Sequence, residues 1–476
     1  MKPLFLNPPT FEDFDGGAGA RYQASREVTS FWYPTWLCFP AGMIEGSRVV
    51  DAPVQKFGME DCLAIAMDYD MVVMYTSTPT LRIDIETARQ IKGVKPSIIT
   101  VLTGPHVTVL PEESLRAGKG IIDIVCRGEF DYSTKELCEG REWERVAGIN
   151  FVRDGKIVST PDRPPITDLD ALPFVAPIYK RDLPIKEYVI PHFKNPYVSI
   201  YSSRGCPSHC IYCLWPQTFS GRTMRVRSPQ NVFEEISWIV GNIPEMRELS
   251  FDDDTFTANR THAREVANLI KPLGISWTIN ARANTDFDTL KVMREAGLRH
   301  VVVGFESGND QILKNIKKGV TTAQAFKFSA DCKKLGLSIH GAFIMGLPGE
   351  TRETISQTIE FAKKLDLNSI QASLASPYPG TEFYALCKQN GWISSDDFID
   401  ASGHQKCVIN YPNLSNAEIF NSVEEFYNKF YFRPKYIARS IGRMIIDSDE
   451  RKKLLKEGKQ YLQYMRKRKD SCPDCT

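Results

Sequence analysis

The run Arg204-Gly205-Cys206-Pro207-Ser208-His209-Cys210-Ile211-Tyr212-Cys213-Leu214-Trp215-Pro216 places three cysteines within eight residues. The C-x-x-x-C-x-x-C spacing lets three thiolates reach one face of a cubane iron–sulfur cluster. One iron is then left without a protein ligand. Most Cys-ligated clusters take four cysteines, so the open iron is a place for something else to bind. A zinc site is the competing reading. It needs a fourth ligand, and His209, inside the loop, is poorly placed to supply one.

A strand-like stretch at 197–201 leads straight into this loop, and alternation continues after it. Strand-like runs at 248–252, 275–280, 300–305, 338–344 and 369–373 are separated by helical stretches such as 288–296 and 323–335. Six βα units predict a partial (β/α)6 barrel, whose chemistry sits at the carboxyl ends of its strands. Upstream, runs at 3–7, 48–50, 71–75, 98–102 and 121–126 alternate with helical stretches at 60–68 and 85–92. That pattern predicts a Rossmann-like parallel sheet covered on both faces, with ligands at the strands' carboxyl ends. The fold class is therefore α/β. The expected organisation is a sheet domain over 1–150, a linker over 151–191, the barrel over 192–395, and a helical region with a basic tail over 396–476. The linker follows from the proline-rich run PDRPPITDLDALPFVAPIYKRDLP, which removes backbone donors at high density.

The 476 residues are 42% hydrophobic and 25% charged, with a net charge of +1. This composition fits ordinary globular cores and gives no overall field for nucleic acid. Twelve scattered cysteines do not resemble a secreted disulfide scaffold. No long apolar segment marks a signal peptide or a membrane span. A cytoplasmic enzyme is expected, with a peripheral membrane contact left open.

The remaining barrel strands also end in polar or glycine-rich runs: FDDDTF at 251–256, NAR at 280–282, GFESG at 304–308, GLPGE at 346–350 and PYPGT at 377–381. Singly each could be a solvated turn, a surface ion pair or a tight connection. Six in order, each closing an apolar run, point to one ligand cradle. A carboxylate among Asp252, Asp253 and Asp254 suits an ammonium. Arg282 suits a carboxylate as a rigid fork. Glu306 and Ser307 offer groups to a ribose or carboxylate, Tyr212 a face for an adenine, and Tyr378 a further contact.

Taken together, residues 192–395 resemble the radical S-adenosylmethionine (SAM) core. FDDDTF, GFESG, GLPGE and PYPGT resemble the branch with an N-terminal cobalamin-binding-type domain. TGPHVTVLPEE at 103–113, CRGEFDYSTKEL at 126–137, ITDLDALPF in the linker and EEFYNKFYFRPKYI near 430 match the same branch. The opening FLNPPTFEDFDGGAGARYQASREVTSFWYPTWL and the run NARANTDFDTLKVMREAGLRHVVVGFESGNDQILKNIKKG are similar to its hopanoid-biosynthesis subgroup. The resemblance implies a 4Fe-4S cluster on Cys206, Cys210 and Cys213, with SAM on the open iron. It implies a reducing partner such as flavodoxin or ferredoxin, and a 5′-deoxyadenosyl radical that removes a substrate hydrogen. For the subgroup it implies a glycosylated hopanoid whose sugar ring contracts to the aminocyclopentitol of a cyclitol ether. A cobalamin-dependent radical SAM C-methyltransferase is the alternative. From another class, a non-catalytic iron–sulfur electron carrier would hold a cluster without cleaving SAM.

Cobalamin domains of this type often ligate cobalt through the histidine of an Asp-x-His-x-x-Gly loop. The comparable loop here is Asp51-Ala52-Pro53-Val54-Gln55-Lys56-Phe57-Gly58, with proline at the histidine position. Any cobalamin is then expected without that ligand, or the domain serves only to shape the substrate cavity. His106 reads as a packing residue of its turn. The terminal pair Cys472 and Cys475 reads as uninvolved in catalysis. The aromatic run 31–36 reads equally as core or as an apolar channel. The basic stretch 451–469 reads as a solvated helix or a membrane-surface helix.

Overall fold

The structure is a computed structural model and describes residues 1–11, 24–446 and 448–470. The Cys472–Cys475 pair lies outside them. The first domain is a seven-stranded sheet in the order β2-β1-β3-β4-β5-β6-β7. Its parallel part comprises β1 (Pro3–Asn7), β2 (Arg48–Asp51), β3 (Met71–Tyr75), β4 (Ile99–Thr103) and β5 (Ile124–Cys126). Every residue of β1 and β3 is buried. That is the signature of strands covered on both faces, and explains why they read as continuous apolar runs. The covering helices are α1 (Thr35–Met43), α2 (Ala52–Gln55), α3 (Met59–Ala66), α4 (Leu81–Val94), α5 (Pro105–Val109), α6 (Pro111–Ala117) and α7 (Asp131–Cys138).

The sheet runs further than the sequence predicts. β6 (Ile149–Arg153) and β7 (Lys156–Ser159) form an antiparallel hairpin on its edge, so the irregular connection begins at Thr160 rather than at 151. That connection carries α8 (Ala176–Asp182). It packs by aromatic contact: Tyr33 stacks between Tyr179 and Tyr188 at 4.3 and 3.9 Å.

The barrel sheet is six parallel strands in sequential order, β15-β14-β13-β12-β11-β8. β8 is Tyr197–Ile200, and the short pair β9 (Ser203–Arg204) and β10 (Arg225–Val226) brackets the cysteine loop and α9 (Leu214–Thr218). Then follow α10 (Pro229–Asn242), β11 (Glu248–Phe251), α11 (Arg260–Ile270), β12 (Trp277–Ala281), α12 (Phe287–Glu295), β13 (Leu298–Glu306), α13 (Asp310–Asn315), α14 (Thr322–Lys334), β14 (Ser338–Met345), α15 (Arg352–Leu365), β15 (Ser369–Leu374) and α16 (Glu382–Gln389). The helices start where side chains accept from exposed first-turn amides: Ser228 from Asn231, Asp286 from Thr289, Thr321 from Gln324 and Thr351 from Thr354.

The region after 395 is not helical from its start. Isolated bridges such as Ile393–Ile409 and Ile399–Gln405 hold an irregular stretch, and helices begin only at α17 (Asn416–Tyr431), followed by α18 (Pro434–Ile446) and α19 (Ser448–Asp470). α17 closes the open edge of the barrel. Tyr431 and Tyr427 hydroxyls accept from Ile370 and Ala372 amides at 2.9 and 3.0 Å, and Gln405 brackets Leu374. The edge strand β15 thus finds side-chain partners in place of a seventh strand.

Candidate active site

The cysteine loop is pinned by its backbone. The Cys206 amide donates to Gly221 O and the Ile211 amide to Ile316 O. Gln217 Nε2 donates to Ile211 O at 3.0 Å and Cys213 O at 2.7 Å. From the far end of the barrel, the Glu382 amide donates to Gln217 Oε1 and the Phe383 amide to Ile211 O. Gly205 enters the loop at φ +88°, and a Cβ there would lie 2.4 Å from Thr223 O, so only glycine fits. Cys206 and Cys210 are buried, Cys213 is partly so, and His209 is exposed. Among the described residues, no three His, Cys, Asp or Glu side chains converge on a single metal ion. A cubane carries its irons at separate corners, so its thiolates need to ring a volume rather than meet at a point. The three thiols on one short, rigid loop, with no imidazole turned inward, fit a cluster better than zinc.

Beside the loop lies a charged group that the sequence reading missed. Lys318 Nζ is 2.7 Å from Glu306 Oε1 and 3.3 Å from the Tyr212 hydroxyl. Burial alone would lower the Lys318 pKa, but Glu306 reverses this and raises it, so the ammonium stays charged. Burial, with the Glu306 carboxylate, pushes the Tyr212 phenol well up. Glu306 itself adopts φ +65°, where β13 slips register against β14. A Cβ on Gly304 would sit 2.1 Å from its carboxylate, so that glycine makes room for the acid. A non-glycine residue in this region stores strain, which clusters at ligand sites. Arg282 completes the group: its guanidinium donates to Ser208 Oγ in the cysteine loop and to Lys318 O at 2.7 Å. Tyr212, Arg282, Glu306 and the cysteines therefore meet, joined through Ser208 and Lys318. Lys318 is one of three lysines in KNIKKG, and only its proximity to Glu306 sets it apart.

The other candidates divide. Asp254 is part-exposed, accepts from Ser220 Oγ at 2.9 Å, and adjoins Thr255, whose hydroxyl lies 3.7 Å from Cys206 Sγ. Asp252 accepts from the Tyr201 hydroxyl and Asn280 Nδ2. Asp253 is fully buried and accepts from the Ser202 amide and the Ser202 and Ser203 hydroxyls. Burial, against those donors, raises its pKa to about 6. Ser307 is also fully buried, bonded to Thr358 Oγ1 and the Asn309 amide. Asp253 and Ser307 thus brace the turns just after β11 and β13, their polar atoms engaged by neighbouring hydroxyls and amides. Tyr378 packs its ring 4.9 Å from that of Phe398.

The first domain abuts this site. α5 packs on α9, and Val109 lies against Gly380 of the last barrel loop. Arg204 forks onto Asp131 at 2.9 and 3.0 Å and lies over Trp36 and Phe39. Arg225 forks onto Glu129 at 2.8 and 2.7 Å. Burial would raise the Glu129 pKa, but the two guanidiniums hold it below the usual carboxylate range. Both acids belong to CRGEFDYSTKEL, so that run clamps the two domains together. At the sheet's carboxyl edge, the hydroxyl of Thr103 and the Nε2 of His106 are buried without a hydrogen-bond partner. His106 bonds Thr78 through Nδ1, and burial lowers its pKa to about 4. Gly104, at φ +108°, leaves no space for a Cβ, which would lie 2.7 Å from Thr76 O. Such an edge fits an amide-rich ligand like a corrin. Asp51 is held by Asn7 Nδ2 and the Tyr188 hydroxyl, while Pro53, two residues on, offers no ring nitrogen.

Comparison with known proteins agrees with this geometry. Residues 200–362 match the Radical SAM superfamily and residues 24–137 the B12 binding domain. An uncharacterized methyltransferase of Pyrococcus horikoshii is 32% identical over 93% of this chain and 95% of its own. The anaerobic magnesium-protoporphyrin IX monomethyl ester cyclase of Rubrivivax gelatinosus is 26% identical over 96% and 81%. The radical SAM methyltransferase TsrM of Kitasatospora setae, solved with cobalamin and a [4Fe-4S] cluster, shares the fold. Its TM-score is 0.68 over 98% of this chain and 99% of that one, at 13% identity. A cysteine loop built for a cluster, a polar cradle around it and a B12-binding domain clamped above it come together in one chain, which belongs to the radical SAM superfamily, in the branch with an N-terminal B12-binding domain.

Proposed function

We propose that the protein cleaves SAM at a cluster held by Cys206, Cys210 and Cys213, and directs the resulting 5′-deoxyadenosyl radical at an unactivated carbon of a small-molecule substrate. The cluster, when bound, supplies the electron for that cleavage. The convergence of Tyr212, Arg282 and Glu306 on the cysteine loop carries the proposal. Arg282, freed from Ser208, takes the SAM carboxylate as a fork. Glu306, paired with Lys318, accepts from the ribose hydroxyls, and Tyr212 covers the adenine. Asp254, part-exposed and next to Thr255 at Cys206, is the carboxylate assigned to the ammonium.

Methyl transfer, with the first domain supplying cobalamin, is the reading best supported by the relatives. The Pyrococcus protein is named a methyltransferase, and the resident B12-binding domain suits that chemistry. The second reading is ring contraction of a glycosylated hopanoid. It is favoured by the runs at 5–37 and 280–319, which resemble the hopanoid subgroup. It is also compatible with a relative named as a cyclase. Product mass separates them. Reconstituted protein is supplied with SAM, reductant, cobalamin and a glucosaminylated hopanoid. Methyl transfer raises the product mass by one methylene, whereas contraction leaves it unchanged. An unaltered starting compound, with 5′-deoxyadenosine still formed, would reject the hopanoid as substrate under either reading. If cobalamin is retained, the cobalt(II) paramagnetic spectrum is expected to lack coupling to a protein imidazole, because Pro53 stands at the ligand position.

A further inference from the structure

Residues 433–470 carry thirteen Lys and Arg against five Asp and Glu, a net +8 in a chain whose total is +1. The rest of the protein is therefore acidic, and its positive charge is concentrated on α18 and α19. The same segment breaks the burial pattern of the molecule. Six of the thirteen exposed large apolar side chains among the described residues lie between 432 and 462. On α18 they recur every fourth residue, at Ile437, Ile441 and Ile445, the last 76% exposed. On α19 they are Leu455 and Leu462, seven apart and 64% and 56% exposed. Both spacings put the residues of each helix on one stripe. Lys452, Lys456 and Lys459 are exposed around the α19 stripe. On α18 the basic residues lie on the other side of the helix, where Lys435 and Arg439 pair with Asp366, so the basic surround belongs to α19. Scattered surface leucines need no explanation, but apolar stripes on two successive helices, one of them ringed by lysines, mark an interaction surface.

The opposite side of α19 has a separate role. Lys453, Leu454 and Tyr461 wall a cavity of about 560 Å³ at the amino-terminal ends of β13, β14 and β15, with His300 and His340 on the barrel side. α19 thus stands between the base of the barrel lumen and solvent.

We infer that α18 and α19 seat the base of the barrel on an anionic lipid bilayer. Ile437, Ile441, Ile445, Leu455 and Leu462 enter the acyl boundary, and Lys452, Lys456 and Lys459 of α19 meet anionic headgroups. Charge complementarity selects this occupant: a helix with apolar and Lys/Arg-rich positions interleaved lies in a bilayer interface, and clustered basic residues are drawn to an anionic leaflet. No helix among the described residues is long and apolar enough to cross a membrane, so the contact is peripheral. The inference is independent of the reaction proposed above, and it places the cavity directly behind the docked face.

Flotation of the full-length, cluster-reconstituted protein tests it, using large unilamellar vesicles of phosphatidylcholine alone or mixed two to one with phosphatidylglycerol. The protein is expected to float with the mixed vesicles only, and to be released by high salt. Ile437→Ser/Ile441→Ser/Ile445→Ser and, separately, Lys452→Glu/Lys456→Glu/Lys459→Glu are expected to cut the bound fraction roughly tenfold or more, with iron content and 5′-deoxyadenosine formation unchanged. Three results would overturn the inference. Wild-type protein does not float; or it floats equally after the isoleucine changes, which reduces the contact to adsorption of basic charge; or those changes instead dissolve a lipid-independent dimer, which assigns the face to a second copy of the chain.

Discussion

Lys318 shows what a single side chain does in this site. Its ammonium is held by the Glu306 carboxylate and lies beside the Tyr212 phenol. Removing it strands a buried carboxylate, which typically costs roughly 3–5 kcal/mol. Lys318→Met is therefore expected to destabilise the protein by about that amount, and Lys318→Met/Glu306→Gln to recover most of it. A double-mutant cycle by denaturant unfolding measures the coupling, and additive losses would show that the pair does not act together. Glu350 behaves differently. Burial outweighs the Gly346 and Leu347 amides that it accepts from and pushes its pKa from 4.5 up to about 8. The folded state therefore keeps a proton that the unfolded chain releases near pH 4.5. This contribution is fully present below about pH 4.5 and is lost as pH rises to about 8. Relative to wild type, Glu350→Gln is expected to gain stability between pH 5 and 8, on the order of a few kcal/mol. Parallel melting curves of the two proteins across that range would contradict it.

The cysteine loop was legible as an element because its chemistry is local: three cysteines, a glycine and a strand before them lie within 17 residues, 197–213. What the sequence did not reveal is long-range. Gln217 ties the loop to α16, and Ile211 pairs with both Ile316 and Phe383, contacts that no spacing predicts. The β6–β7 hairpin was missed because it leads directly into the prolines that suggested a linker. The polar partners of Ser307 and Asp253, Thr358 on α15 and Ser202 and Ser203 beside β8, are likewise distant in sequence. Ser307→Ala is expected to leave SAM affinity unchanged and cost about 1 kcal/mol of stability through the lost Thr358 contact. Arg282→Ala should instead weaken SAM binding about ten- to hundredfold, a loss of roughly 1.5–3 kcal/mol. Calorimetric titration of the two reconstituted variants with SAM distinguishes them, and equal weakening would place Ser307 back among the ligands. Gly205→Ala tests the loop itself. It forces a left-handed residue and a clash with Thr223 O, so iron and sulfide content should collapse although no ligand is touched. Full cluster loading in that variant would mean the loop is not rigid.

At the scale of the molecule, two α/β units are joined by buried ion pairs rather than by a loose linker. Asp131–Arg204 and Glu129–Arg225 lie almost wholly out of water, so the B12-binding edge is fixed over the barrel's carboxyl end. The division into a sheet domain and a barrel was readable from the alternation of strands and helices. The clamp was not, because its partners are up to 96 residues apart. That arrangement makes sense if the radical is generated in the barrel and used under the first domain. The reaction proposed for this site is the reductive cleavage of SAM. Reconstituted wild type and a Cys206→Ala/Cys210→Ala/Cys213→Ala variant, incubated anaerobically with SAM and dithionite and assayed for 5′-deoxyadenosine, test it most directly. Wild type is predicted to release 5′-deoxyadenosine and the variant none. A fully loaded wild-type cluster that releases none would contradict the account.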